Sequence, residues 1–190
     1  MIIIGITGTI GAGKGTIVEY LIQRYQFSHF SVRQYLTNIL MQKKIEVNRD
    51  TMTVLANGLR QEHKSPSFII EELYHLAHTS GKNCIIESIR TVGEIHCLRE
   101  IGNFFLLAID APQAIRYQRI GLRKSATDLI DFDTFVQNEN REMENSDENK
   151  QNIAGCLRLA DYVLSNDGPL ESLHLQIDGI IQKILENGTN

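Results

Sequence analysis

The chain has 190 residues, 42% hydrophobic and 22% charged, with three prolines and no tryptophan. That composition fits one globular domain with a real core and excludes disordered, collagen-like and fibrous classes. Nineteen basic against 23 acidic side chains give a formal charge of −4, which argues against a surface built to grip a nucleic-acid backbone.

Cys84, Cys97 and Cys156 are widely spaced and form no CxxC pair, so neither a disulfide framework nor a zinc ribbon can be drawn. Met1–Ile4 is apolar but lacks a basic leader and runs straight into glycines; it reads as a strand, not a signal peptide. No apolar run approaches the ~18 residues of a membrane helix. The expectation is a cytoplasmic protein with reduced thiols and no membrane partner.

Ile2 to Thr7 is nearly all apolar and ends in glycines, the pattern of a central parallel strand buried on both faces. Behind Lys14, the residues Ile17, Leu21, Ile22 and Tyr25 fall at helical spacing. Phe27–Ser31 reads as a second strand, followed by helices over 32–42 and 49–64. In the second helix Met52, Leu55 and Leu59 line one face, and Thr53, Asn57, Arg60 and Lys64 the opposite one. Ser65-Pro66 ends it, and a further helix covers 67–79. Its His75 and His78 have no further ligand cluster and read as helix-surface or core-edge residues.

Cys84–Ile86 and Phe104–Ile109 read as buried strands, and Pro112 stands at the first turn of the next helix. The polar run 137–152 reads as an exposed helix followed by a loop. Asp161–Ser165 is a last strand, and Leu170, Leu173, Ile177, Ile181, Ile184 and Leu185 form the stripe of a C-terminal helix. Strands alternating with helices predict a single α/β domain over 1–190, with a parallel sheet of about five strands and helices on both faces.

The segment Gly8-Thr9-Ile10-Gly11-Ala12-Gly13-Lys14-Gly15-Thr16 has the Gly-x4-Gly-Lys spacing of a phosphate-binding loop. Chance supplies roughly 0.06 such matches in a chain this long, and the match lies between a buried strand and an amphipathic helix, where the motif has a mechanism. Glycines let successive amides point inward as an anion nest, and the following helix turns its positive end to the same phosphates. Lys14 would reach the β- and γ-phosphates. Gly15 stands where serine or threonine is usual, with the hydroxyl one place later at Thr16.

This loop resembles that of nucleoside monophosphate kinases, the adenylate kinase superfamily, in which Gly-Lys-Gly-Thr is the common ending. The resemblance runs the length of the chain. Glu87-Ser88-Ile89-Arg90 is similar to the Asp-Gly-x-Arg segment carrying a magnesium-side carboxylate and a phosphate-binding arginine. Asp110-Ala111-Pro112 with Arg116, Arg119 and Arg123 resembles the strand-to-lid-helix segment. Ala160-Asp161 through Asn166-Asp167-Gly168 looks like a signature of dephospho-CoA kinases, and the whole arrangement is similar to kinase domains found beside deoxycytidylate deaminases.

The resemblance implies a three-layer P-loop NTPase fold, ATP and magnesium, a helical acceptor-binding insertion at about 32–80 and a short lid at about 119–135. Gly8, Gly11, Ala12, Gly13, Lys14, Gly15 and Thr16 would hold ATP, with Asn166 beside the adenine or simply in a turn. Thr16 and Glu87 would stand on the magnesium side, Glu87 being alternatively a capping or salt-bridged residue. For Asp110 a helix-start role is the stronger reading.

Arg116, Arg119 and Arg123, spaced i, i+3, i+7, share a face that either solvates or closes over the transferred phosphoryl; Lys14, Arg119 and Arg123 are the expected catalytic groups. Arg33, Arg60 and Arg90 would hold the acceptor. Ser31-Val32-Arg33-Gln34-Tyr35-Leu36-Thr37 departs from the Ser-x-Gly-Asp-x-x-Arg of adenylate kinases and leaves the acceptor open. The leading expectation is an ATP-dependent kinase of (deoxy)nucleoside monophosphates; the alternatives are a dephospho-CoA kinase, a nucleotide-binding module without turnover, and a simple NTPase switch.

Overall fold

Strand β1 (Ile2–Gly8) is buried along its whole length. Ile2, Ile4 and Ile6 enter one core and Ile3 the other, the period-two division of a strand covered on both faces. The computed structural model describes residues 1–123, 130–145 and 150–187. Around β1 stand β2 (Ser28–Ser31), β3 (Cys84–Glu87), β4 (Asn103–Asp110) and β5 (Tyr162–Ser165), in the order β2-β3-β1-β4-β5 with every pair parallel. The expected α/β sheet of five strands is what the chain forms.

One face is covered by α1 (Lys14–Tyr25), through Ile17, Val18 and Leu21, and by α9 (Leu170–Asn187), through Leu173, Ile177, Ile181 and Ile184. Each such side chain contributes about 1.5–3 kcal/mol of burial, so the C-terminal stripe is a main fastening of this layer. The other face is covered by α2 (Val32–Gln42), α3 (Arg49–Glu62), α4 (Phe68–Ser80), α5 (Val92–Ile101) and α8 (Ile153–Arg158). After β4 come α6 (Gln113–Arg123) and α7 (Phe132–Met143). Residues 124–129 of the expected lid lie outside the described residues. Among the described residues no helix is long and apolar enough to cross a membrane.

Three features differ from the sequence expectation. Helices α5 and α8 were not anticipated, although α5 announces itself: the Thr91 side chain accepts from the Glu94 amide and the Glu94 carboxylate accepts from the Thr91 amide, a capping box legible as Thr-x-x-Glu. The polar run is not an exposed helix: α7 starts earlier, at Phe132, and buries Glu139 and Glu142. On α3, Arg60 is buried beside Ala56 instead of lying on an open polar face.

Candidate functional site

The turn after β1 is shaped by glycines that nothing else can replace. Gly8, Gly11 and Gly13 have φ of 147°, 78° and 105°, a region L side chains avoid. A Cβ on Gly8 would stand 2.2 Å from the Ile109 carbonyl oxygen, one on Gly11 2.6 Å from that of Arg116, and one on Gly13 2.3 Å from Asn166 Nδ2. The loop thus rests directly on β4, α6 and the segment after β5. Gly13 caps α1 without a side-chain hydrogen bond, leaving the helix's positive end to face the cavity beside Gly11, Lys14 and Gly15.

Lys14 Nζ donates to the carbonyls of Gly8 (2.7 Å) and Thr9 (2.8 Å). Burial, reinforced by the Arg90 charge, pulls its pKa from 10.5 down to about 7, against the opposing pull of Glu142 and Glu87. Between pH 7 and 10.5 the unfolded chain therefore holds more protons here than the folded one, so this group makes stability rise with pH across that window. A polyanion beside the ammonium reverses the shift. Binding of inorganic tripolyphosphate at pH 8 is expected to take up roughly 0.5–1 proton, and little at pH 6; calorimetry in two buffers of different ionisation enthalpy measures it.

The loop is braced from below. Arg116 Nε donates to the Ala111 carbonyl (2.7 Å), its Nη1 to the Ile10 carbonyl (3.1 Å) and to the Glu139 carboxylate, and its guanidinium lies 5.7 Å from the Phe135 ring centroid. Arg116 is therefore buried under the loop, whereas Arg123 at the end of α6 is exposed. Asp110 Oδ1 accepts from Thr9 Oγ1 (2.6 Å) and the Ala111 amide (2.9 Å), tying the loop to the start of the α6 connection.

Asn166 is buried, and its Nδ2 donates to the Ala12 carbonyl (2.8 Å) while Oδ1 accepts from Arg119 Nη2 (3.3 Å). Its side chain holds the loop backbone. Arg119 Nη1 is a buried donor without a partner among the described residues.

The loop opens on a cavity of about 370 Å³ reaching from Gly11 and Lys14 to Leu36 on α2 and Ala56 on α3. Its charged lining is unequal: Lys14, Arg33, Arg49, Arg60, Arg90 and Arg123 against Glu87 and Glu142. Glu87 ends β3, the carboxyl edge where open parallel sheets bind ligands. Burial alone would raise its pKa, but the Ser31 hydroxyl at 2.7 Å, the His29 imidazole at 3.5 Å and the Lys14 charge hold it below the usual value. Ser88 follows at φ 67°, which costs a side-chain-bearing residue roughly 1–2 kcal/mol and turns the chain toward Arg90.

Of the expected acceptor arginines, Arg33 and Arg90 line the cavity. Arg60 lines it too, but its head is engaged by Glu94 Oε1 (2.9 Å) and the Pro66 carbonyl (3.1 Å). Arg90 Nη1 donates to Glu142 Oε2 (2.9 Å), and Arg49 closes a second ion pair on Glu142 Oε1. Arg49 and Glu142 were missed in the sequence; their partners stand far away along the chain, and no periodicity marks them. Thr16 lies in the first turn of α1, while Arg119, set back on Asn166, is not part of the cavity wall.

A model of the AAA domain family matches residues 4–152. The chain belongs to that family. This AAA domain is 25% identical over 189 residues to a UPF0200 protein of Methanococcus vannielii, with 98% of each chain covered. In three dimensions it resembles shikimate kinase from Bacteroides thetaiotaomicron (TM-score 0.60, 13% identity, 97% of this chain and 98% of that one). It also resembles dephospho-CoA kinase from Campylobacter jejuni (TM-score 0.54, 16% identity, 96% of each). At these identities the likeness is one of fold, and the fold of the AAA domain is P-loop and kinase-like.

Proposed function

We propose that this AAA domain is an ATP-dependent kinase of (deoxy)nucleoside monophosphates. One observation carries the reading: a continuous cavity joins the glycine loop and Lys14 to a wall of arginines at the carboxyl edge of β1 and β3. The loop amides, the α1 end and Lys14 would take the β- and γ-phosphates of ATP, and Arg123 would meet charge gathering on the transferred phosphoryl. Arg119, one unpartnered donor already buried, would join it if α6 shifts on closure. Arg33 and Arg90 would hold the acceptor, while Val32, Leu36, Met52 and Ala56 offer an apolar shelf for a flat base.

Among the described residues no group of three His, Cys, Asp or Glu could hold a metal alone. The ionised Glu87 carboxylate and the Thr16 hydroxyl are hard oxygens suited to magnesium that the nucleotide phosphates and water otherwise hold. When bound, the ion would neutralise charge between the phosphates; Glu87 would orient its water, and Ser31 and His29 would fix Glu87.

Dephospho-CoA stays in the acceptor panel on sequence resemblance. The segment that suggests it serves the scaffold here: Asp161 accepts from the Leu106 amide (2.7 Å) and Arg99 (3.0 Å). The test is ADP release over nucleoside monophosphates, dephospho-CoA, shikimate and gluconate. Nucleoside monophosphates are expected to stimulate release at least ~10-fold. ATP binding with no stimulation by any acceptor would leave a nucleotide-binding module instead.

A further inference from the structure

Helix α7 buries only three side chains, Phe135, Glu139 and Glu142, which stand at i, i+4 and i+7 on one face. One is apolar and two are carboxylates, whereas α9 fastens itself through Leu173, Ile177, Ile181 and Ile184. Apolar contact is non-directional, while charge-assisted hydrogen bonds fix distance and direction. The two carboxylates therefore decide where α7 sits. They are three residues apart, about 4.5 Å along the helix axis, within a single turn of backbone.

Each carboxylate grips a different part of the cavity. Glu139 Oε1 accepts from Arg116 Nη1, and Oε2 from Gln113 Nε2 (2.7 Å). The same Arg116 nitrogen donates to the Ile10 carbonyl (3.1 Å), and Gly11 rests on the Arg116 carbonyl. Glu142 Oε1 takes Arg49 from the start of α3, and Oε2 takes Arg90 from the turn after β3 (2.9 Å). Asn152 ties that turn to the end of α7, donating its amide N–H to the Arg90 carbonyl (2.8 Å) and Nδ2 to the Asn145 carbonyl (3.0 Å). One helical turn thus links the underside of the glycine loop to the wall across the cavity.

We propose that Glu142 is a positioning residue for the nucleotide's phosphates: acting through α7, it fixes Arg116 and with it the backbone of Ile10 and Gly11 on the opposite side of the cavity. This rests on the phosphate-holding part of the loop in the reading above and is independent of the acceptor. Without the Glu142 joint, α7 keeps one ion pair and one apolar anchor, Phe135 against Arg116 and Tyr117, both on the α6 side. The helix can then roll about that pair, and Arg116 follows it away from Ile10.

Two effects of Glu142 on a bound polyanion have opposite signs. As a charge beside the cavity it repels phosphate, so neutralising it would by itself strengthen binding. As the far joint of α7 it holds the loop in shape, so its loss weakens binding. The probe is inorganic tripolyphosphate at pH 6, below the Lys14 pKa of about 7, where the ammonium is charged before the anion arrives. Calorimetry is expected to show Glu142→Gln weakening tripolyphosphate roughly 5-fold or more. Glu139→Gln should weaken it too, and in that background the further change Glu142→Gln should weaken it no more, because the connection is already severed. Arg49 and Arg90 are 28% and 31% exposed, so water solvates them once the carboxylate is neutral, and Glu142→Gln is expected to fold.

Hydrogen exchange in the free protein separates positioning from general loosening. In Glu142→Gln the Ala12 amide, bonded to the Thr9 carbonyl (3.3 Å), and the amides of α7 should exchange faster, while those of β1 and α9 keep their rates. Unchanged or tighter tripolyphosphate binding in Glu142→Gln overturns the proposal and leaves the phosphate loop standing, and so does equal weakening with and without Glu139. Faster exchange throughout β1 and α9 overturns it as well, by making the effect one of global stability. A parent protein that binds no tripolyphosphate removes the loop reading and the proposal together.

Discussion

Lys14→Met is expected to lower turnover at least ~10²-fold while Tm stays within about 2 °C of the parent. The two halves of this result have separate causes. The ammonium is held at the loop that would take the donor's terminal phosphates, while Arg90 is engaged by Glu142 and Gln151 across the cavity. Stability barely moves because the fold already disfavours the charged form, with the pKa at about 7. Methionine of similar length loses two hydrogen bonds to loop carbonyls but relieves a desolvated charge. Single-turnover kinetics beside a thermal melt measure both. Full activity in this variant would end the kinase reading.

Glu139→Ala is expected to destabilise the fold strongly. Arg116 is 6% exposed and Glu139 7%, and removing Glu139 leaves the buried guanidinium only the more distant Asp110 carboxylate at 3.5 Å, at about 3 kcal/mol. For a chain of this size that corresponds to a fall in Tm of roughly 10 °C. The loss reaches the site, because the same guanidinium holds the Ile10 carbonyl of the phosphate loop; nucleotide affinity should fall together with Tm. Pairing the change with Arg116→Met should recover a large part of the stability but not the nucleotide affinity. If the single variant melts like the parent, the brace is dispensable.

What could be read from residues alone follows the range of the interactions. The isoleucine-rich strand β1 ending in glycine, and the loop of Gly8 to Thr16, are local patterns with local causes, and they placed the centre of the sheet and the loop end of the cavity. The C-terminal stripe of leucine and isoleucine placed α9 in the same way. The arginine-lined side of the cavity was less legible because its charges are paired over long distances. Glu139 and Glu142 sit in a polar run that looks solvated until Arg116, Arg49 and Arg90 are seen to meet it. Arg60 likewise looks like a surface residue until Glu94 is found against it. Burial of a charge is decided by its partner, and the partner is invisible in a window of a few residues. Thr91 and Glu94 are the exception: their capping box is local, was legible, and marks α5 plainly.

The position of β1 has a consequence for how the protein is made. Its hydrogen-bonding edges are satisfied by β3, beginning at Cys84, and by β4, beginning at Asn103. At ~5–20 residues per second, the ribosome releases this strand several seconds before either neighbour exists. During that interval the nascent chain trails a stretch of isoleucines open on both margins, a template for joining other chains. Translation halted anywhere short of residue 103 should yield a fragment that clumps instead of folding, because the middle of the sheet is still unclosed.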